Sequence, residues 1–177
     1  MCRESEETAK KGLPMSFMSR LRGAAAPVEP VAPAVPVEPV FDAAVLAVPR
    51  AVLAPAVLTM AADGHVAEAE MAMLQNLCAF SPLYARLPDG AVEHMIGDLL
   101  EDLKSRGADE VIGQTADVLT RNLCETAFCY AMRLAMVDGV LVHREKQALS
   151  EIAERLALPD AKVDQIIEVI AMMQRAG

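Results

Sequence analysis

Residues 60–74 read MAADGHVAEAEMAML, and residues 135–149 read AMVDGVLVHREKQAL. Both stretches carry Asp-Gly, an apolar residue two places on, and then Glu and Leu, at a constant offset of 75 residues. A second shared segment, Leu-Pro-Asp at 87–89 and again at 158–160, is offset by four residues fewer. The chain therefore contains an internal two-fold repeat, over about residues 43–98 and 118–173.

Apolar residues follow a helical period from residue 41 onward. One stripe over residues 92–103 and another over 163–171 repeat at spacings of three and one, as on one face of a helix. Between residues 122 and 137 apolar side chains cover nearly the whole circumference, which predicts a buried central helix. Sustained β-type alternation is missing.

We therefore expect residues 41–177 to form an all-α domain, a compact bundle of about seven helices. Each half of the repeat predicts a helix, an Asp-Gly turn, a helix, a Leu-Pro-Asp turn and a third helix. Residues near 108–121 are expected to form a helix that connects the two halves.

A proline-rich stretch precedes this domain. Residues 23–40 read GAAAPVEPVAPAVPVEPV, with a proline at every third position from 27 to 39, which predicts an extended polyproline-type linker. Residues 1–22 are interpreted as a short basic amphipathic tip whose apolar and basic residues are Phe17, Met18, Leu21, Arg20 and Arg22. We also expect Met15 to be the true start, because the fourteen residues before it are polar and without pattern.

The composition limits the classes of partner. The chain has 16 Lys and Arg against 25 Asp and Glu, a formal charge of -9, and aromatic residues make up only 3% of it. An acidic surface repels nucleic acid and anionic lipid, and RNA-binding platforms need aromatic rings for stacking. Cations and basic proteins are therefore the expected partners, and no nucleic acid is expected.

Neither the cysteines nor the apolar segments indicate export or a membrane span. Cys2, Cys78, Cys124 and Cys129 lack CxxC spacing, which favours free thiols over zinc ligands or disulfides. Two prolines and an arginine interrupt the most apolar stretch, so we expect no run of roughly 18 apolar residues to cross a bilayer. Because residues 1–22 also lack a long hydrophobic segment, we expect a cytoplasmic protein without a transmembrane segment.

The Asp-Gly pairs predict helix ends. Gly64 and Gly139 are expected in the left-handed conformation that ends a helix, and the preceding aspartates can bind backbone groups freed by the turn. The next helices should begin near residues 67 and 142, with Ala67 and Val142 as N-caps. Asp89 and Asp160 are interpreted as N-caps of the helices after the Leu-Pro-Asp turns.

Two interpretations of Glu70 and Glu145 remain open. As third residues of their helices, they can accept backbone N–H groups, which is half of a capping box. Alternatively, Asp63 with Glu70, and Asp138 with Glu145, supply oxygen ligands to a divalent cation such as calcium. A true EF-hand is excluded, because the positions corresponding to its first and third ligands are Thr59 and Ala61 in one copy and Leu134 and Met136 in the other. An acidic run, comprising Glu93, Asp98, Glu101 and Asp102, is interpreted as a solvated face, with extension of a cation site as the alternative.

The duplicated pattern resembles the tellurite-resistance TerB-like family. The residues that carry the resemblance are Ala62, Asp63, Gly64, Val66, Glu70 and Leu74, with Asp138, Gly139, Leu141, Glu145 and Leu149. The resemblance implies a helical fold with approximate two-fold symmetry, no enzymatic activity, and a role in bacterial stress resistance. It also implies divalent cation binding through Asp63, Glu70, Asp138 and Glu145.

Two classes of function follow. The first is a non-enzymatic stress-response accessory protein that binds a cation and a membrane-associated protein partner. The alternative is a helical protein–protein interaction module without metal, as in domains attached to co-chaperones, whose Met-rich grooves bind a partner helix. Direct capture of tellurite is disfavoured, because an oxyanion is repelled by a body of this negative charge.

Overall fold

The computed structural model describes residues 41–62, 64, 66–137, 139 and 141–175. The chain divides into two units, Met1–Pro39 and Val40–Gly177, and the described residues belong to the second. They form no strand and seven helices, which are α1 (Ala43–Ala61), α2 (Glu68–Ala79), α3 (Ala91–Arg106), α4 (Ala108–Val118), α5 (Arg121–Ala135), α6 (His143–Arg155) and α7 (Asp160–Met173). The predicted all-α class is confirmed, whereas the predicted tip, the linker and the Met15 start lie outside the described residues.

Helix α1 continues past two prolines that were expected to interrupt the apolar stretch. Pro49 and Pro55 lie inside it, and both are buried. A proline inside a helix lacks the N–H that bonds to the carbonyl four residues earlier. From residue 49 to residue 60 almost all side chains of α1 are buried, and this apolar burial stabilises the helix despite the missing hydrogen bonds. Asp42 caps its start, accepting a hydrogen bond at 2.9 Å from the backbone N–H of Ala44.

Contrary to the expectation that no apolar run is long enough to cross a bilayer, α1 is by length and composition a helix that could do so. Its most apolar window is 61% buried inside the domain, as in the core helix of a globular protein. Among the described residues it is the one helix with this property. The reason is visible in its contacts, because α1 packs against α3, α4, α5 and α6.

Helix α5 is buried as predicted. Its buried side chains include Phe128, Met132 and Leu134, each at most 1% exposed, and it packs against α1, α2, α6 and α7. Aliphatic residues and methionine make up most of the core, and Phe128 is its one fully buried phenylalanine among the described residues. Two central helices, α1 and α5, therefore share the core, although only α5 was expected there.

The outer helices differ in how much of their apolar stripe they bury. In α3 the predicted stripe is covered, with Met95, Ile96 and Leu99 all buried. In α7 only Ile166 and Ile170 are buried, whereas Ile167 is 39% exposed. The predicted stripe of α7 is therefore only partly used by the core. Helix α4 is the connecting helix expected near residues 108–121.

The segment between α2 and α3 is longer than the one between α6 and α7 and carries a tyrosine. Tyr84 is buried, and its hydroxyl donates a 3.1 Å hydrogen bond to the carbonyl of Pro49 in α1. Its ring lies 6.4 Å from that of Tyr130 in α5. The longer segment therefore fastens the outer part of the first half to both central helices.

Candidate functional site

The two Asp-Gly turns have the predicted backbone conformation. Gly64 and Gly139 adopt φ values of 81° and 77°. Their N–H groups donate to the carbonyls of Ala61 at 3.0 Å and Met136 at 3.1 Å, which closes a turn directly after each helix. Only glycine adopts this conformation without a steric cost from Cβ, so both glycines are structural residues.

Glu70 and Glu145 are half-buried and bind the starts of their own helices. The backbone N–H of Ala67 donates to Glu70 Oε2 at 3.0 Å, and that of Val142 donates to Glu145 Oε2 at 2.8 Å. Ala67 and Val142 are the N-caps in extended conformation, as predicted. Neither has a side-chain oxygen, so each turn contains one half of a capping box.

The capping role does not exclude the cation interpretation. A carboxylate has two oxygens with about four acceptor positions, so a capping carboxylate can also be a metal ligand. Divalent calcium takes six to eight oxygen ligands, so one glutamate per turn is insufficient by itself. Asp63 and Asp138, the other predicted ligands, lie outside the described residues. Within the part of the chain that the structure describes, no group of three or more His, Cys, Asp or Glu side chains could hold a metal ion.

Two members of the acidic run on α3, Asp98 and Asp102, contact basic side chains. Asp102 forms ion pairs with Arg50 of α1 and with Arg106, the latter at 3.4 Å. Asp98 lies 3.4 Å from His94 Nε2, and the His94 ring stacks on Phe41 with 4.7 Å between centroids. Arg50 thereby turns the run into an anchor between α1 and α3, in keeping with a structural face.

The two aspartates of the Leu-Pro-Asp turns are not N-caps, contrary to the prediction. Gly90, in left-handed conformation with φ 80°, is the N-cap of α3 and separates Asp89 from the helix. Pro159 is the N-cap of α7, so Asp160 is already its first helical residue. At this position the positive end of the helix dipole still stabilises the Asp160 carboxylate.

The described thiols are unpaired and mostly protected. Cys78 is 2% exposed, and burial, with a smaller contribution from Glu93, raises its pKa from 9.0 to about 12. Burial also raises the pKa of Cys124 and of Cys129. Because the thiolate is the reactive form, the raised pKa and the burial of Cys78 both disfavour its reaction near neutral pH.

Sequence reasoning missed a groove between α5, α6 and α7. Its volume is about 610 Å³. Its walls are formed by Phe128, Met132, Leu149, Ala153, Val163 and Ile167, and polar side chains of Lys146, Ser150, Glu154 and Asp160 also line it. The apolar stripe of α7 was visible in the sequence. The helical spacing of that stripe does not show which of its residues the core leaves exposed.

A smaller cavity of about 240 Å³ lies at matching positions in the first half. Gln75, Cys78 and Val92 line it, and they align with Ser150, Ala153 and Val163 in the sequence repeat. Tyr84 also lines this cavity, and it belongs to the longer segment between α2 and α3. We attribute the smaller volume to that ring.

Comparison with known families agrees with these features. The model of the tellurite resistance protein TerB family matches residues 49–168. The chain belongs to the TerB family. This TerB match begins inside α1 and ends inside α7, so both Asp-Gly turns and both cavities lie within it. Comparisons with curated proteins and with solved structures gave no significant match.

Proposed function

We propose that this TerB-family chain is a non-enzymatic accessory protein of the bacterial response to tellurite and related stress, which binds a membrane-associated protein partner. The family match over residues 49–168 carries this proposal, because it spans most of the described domain. The acidic body supports a protein partner with basic residues over direct capture of an oxyanion.

The state of the thiols supports a role without covalent chemistry in the cytoplasm. Cys78, Cys124 and Cys129 are free, as is usual in a reducing compartment. Burial raises the pKa of all three thiols, so none is set up as an activated nucleophile.

The physiological test is deletion of the gene in the bacterium that encodes the chain. We expect the deletion strain to tolerate less tellurite than the parent strain. Expression of the full chain from a plasmid should restore resistance. Unchanged tellurite sensitivity of the deletion strain would overturn the proposed function. A strain complemented with an empty vector is the control.

The proposal includes a divalent cation, with calcium as the expected ion. The predicted ligands are Asp63 and Glu70 in one turn and Asp138 and Glu145 in the other. Glu70 and Glu145 are oriented toward their turns by the N–H bonds that they accept, so a bound ion would meet carboxylates already held in position.

Replacing Glu70 and Glu145 together by Gln separates capping from cation binding. Glutamine still accepts the N–H bond, but it lacks the anionic oxygen that calcium or magnesium prefers. At a hundredfold excess over the dissociation constant, an ion stabilises the wild type by about 2.7 kcal/mol. We expect thermal unfolding to show a calcium-dependent rise in melting temperature of several degrees, which the double variant loses.

A matched control changes Glu68 and Glu93 to Gln, because both are exposed first-turn glutamates outside the turns. This control has the same net charge as the double variant and should keep the response to calcium. If the melting temperature of the wild type does not change with millimolar calcium, magnesium, manganese or zinc, the cation proposal is wrong, and Glu70 and Glu145 are helix caps only.

A further inference from the structure

The groove between α5, α6 and α7 has a defined length. The five residues of α6 that line it, from Lys146 to Glu154, lie on one stripe at spacings of three and one. At 1.5 Å per residue, this stripe extends over about 12 Å. The α7 side, from Asp160 to Ile167, is of similar length. The groove is therefore as long as two turns of a helix, the distance between anchors at positions i and i+7.

Most residues that line the groove are apolar, and carboxylates lie at its edges. Asp160, Asp164 and Glu168 recur every four residues along α7 and are exposed, and Glu154 lies on the α6 side. Within the described residues none of these four carboxylates forms an ion pair. Lys146 is the one basic residue that lines the groove. A partner segment with apolar anchors and flanking basic residues is complementary to this surface.

The first half of the domain shows what kind of side chain fits such a cavity. There Tyr84 reaches in from its longer connecting segment and is 6% exposed. The second half is four residues shorter between the aligned Glu and Leu-Pro-Asp positions. It therefore has no counterpart of Tyr84 in its own connection, and an apolar or aromatic side chain from elsewhere can take that place.

We propose that this groove is the docking site for an amphipathic helix of a partner protein, with apolar anchors at i, i+3 or i+4, and i+7 and with basic residues on its flanks. The proposal rests on the partner named in the proposed function and specifies where and how that partner binds. The exposed stripe of α7, with Ile167 39% exposed, supplies one wall of the site.

The probe is a synthetic 14-residue peptide of Leu and Lys, with Leu on one helical face. A peptide of the same composition in scrambled order has the same charge without the apolar stripe. Titrated against the full-length chain, the amphipathic peptide should bind and shift methyl NMR signals of Ala153, Val163 and Ile167. Equal binding of the scrambled peptide would overturn the proposal, because it would show attraction by charge alone.

Two variants locate the binding surface. Ser150→Trp places a large ring at the groove and should weaken peptide binding by about tenfold or more, which corresponds to about 1.4 kcal/mol. Ser105→Trp is the matched control, since Ser105 is exposed on α3 away from the groove. Unfolding curves of both variants verify that each remains folded. Equal affinity of the two Trp variants would overturn the proposal.

Charge reversal tests the acidic flank separately. Asp164→Lys with Glu168→Lys should weaken binding of the Leu–Lys peptide more than Glu93→Lys with Glu101→Lys, which reverses two exposed carboxylates on α3. The same loss in both double variants would indicate a general field effect and would contradict recognition at the groove.

Two other occupants are distinguishable outcomes. If Phe17→Ser with Leu21→Ser shifts the groove signals without any peptide, the groove binds the chain's own residues 15–22 and the proposal fails. Concentration-dependent dimerisation that Ser150→Trp abolishes would assign the groove to a second copy instead. These assays use purified protein, so they are independent of the tellurite phenotype. If the chain restores tellurite resistance to the deletion strain but does not bind the peptide, the docking proposal fails and the proposed function does not.

Discussion

Single residues set the geometry of the two turns. Gly64 and Gly139 are in the left-handed region, and a Cβ added at either position would contact nothing within 4 Å. The cost of substitution therefore comes from the residue's own backbone conformation and not from contact with other residues. The requirement for glycine was predictable from the sequence because it depends only on local backbone chemistry.

We expect Gly139→Ala to lower the free energy of unfolding by about 1–2 kcal/mol, the usual cost of a left-handed L-residue. Gly97→Ala is the matched control, because Gly97 is in the interior of α3 and an added Cβ there also meets nothing within 4 Å. That variant should gain about 0.5–1 kcal/mol. Urea denaturation of the two variants and the wild type measures the sign of each change in the free energy of unfolding. Equal effects would contradict the assigned role of Gly139.

Buried thiols give a second prediction at this scale. Cys78 is 2% exposed, whereas Cys129 is half-buried and lines a surface cavity. With iodoacetamide at pH 8, we expect Cys129 to be alkylated well before Cys78, as followed by peptide mass spectrometry. In urea the order should disappear. Fast labelling of Cys78 in the native protein would contradict its protection.

The raised pKa of Cys78 also predicts the direction of a pH effect on stability. Up to its ordinary pKa of 9.0 the thiol is protonated in both folded and unfolded chains. Above 9.0 the unfolded thiol releases its proton, whereas the folded one retains it until about pH 12. The free energy of unfolding should therefore fall between these values. Comparing Cys78→Ala with wild type from pH 8 to 10.5 isolates this contribution, since the alanine variant should lose stability less steeply.

At the scale of elements, periodic patterns predicted the outer helices better than the central ones. The stripe of α3 and the start of α6 after Val142 follow from local spacing. Helix α1 has no clear stripe, because side chains on all its faces are buried from residue 49 to residue 60, and its prolines predicted an interruption. Its continuity depends on packing against α3, α4, α5 and α6, which no local pattern contains.

The segment between α2 and α3 offers a test of how the halves of the repeat differ. Tyr84→Phe removes the hydroxyl bound to the Pro49 carbonyl, and we expect a loss of about 0.5–1.5 kcal/mol in unfolding free energy. Tyr84→Ala removes the ring as well and should cost about 3–5 kcal/mol. Calorimetry compares the two variants. A Tyr84→Ala loss no larger than that of Tyr84→Phe would show that the ring does not fill the first cavity.

At the scale of the whole molecule, the sequence predicted the fold class and gave capping as one of two roles for Glu70 and Glu145, but it did not locate the groove. The caps depend on residues three apart in the chain, as for Glu145 and Val142. The groove depends on how α5, α6 and α7 pack together, because residues of all three helices line it. No pattern within a single helix contains that arrangement.

We expect residues 41–177 to unfold as cooperatively as the full chain, because Phe41 and Asp42 already supply the stacking on His94 and the cap of α1. Limited proteolysis should cut within residues 23–40 and leave a stable helical fragment. A fragment starting at Ala44 is the control and should lose about 0.5–2 kcal/mol with the cap. Loss of cooperative unfolding in 41–177 would contradict the prediction.

From residue 49 onward, α1 is buried by helices that the ribosome synthesises after it. Translation completes α1 at Ala61, but its partner α5 only at Ala135. At about 5–20 residues per second, the delay is roughly 4–15 s. During that interval the nascent chain presents an apolar helix that only α3 and α4 begin to cover. We therefore expect α1 to bind chaperones during synthesis until α5 is complete.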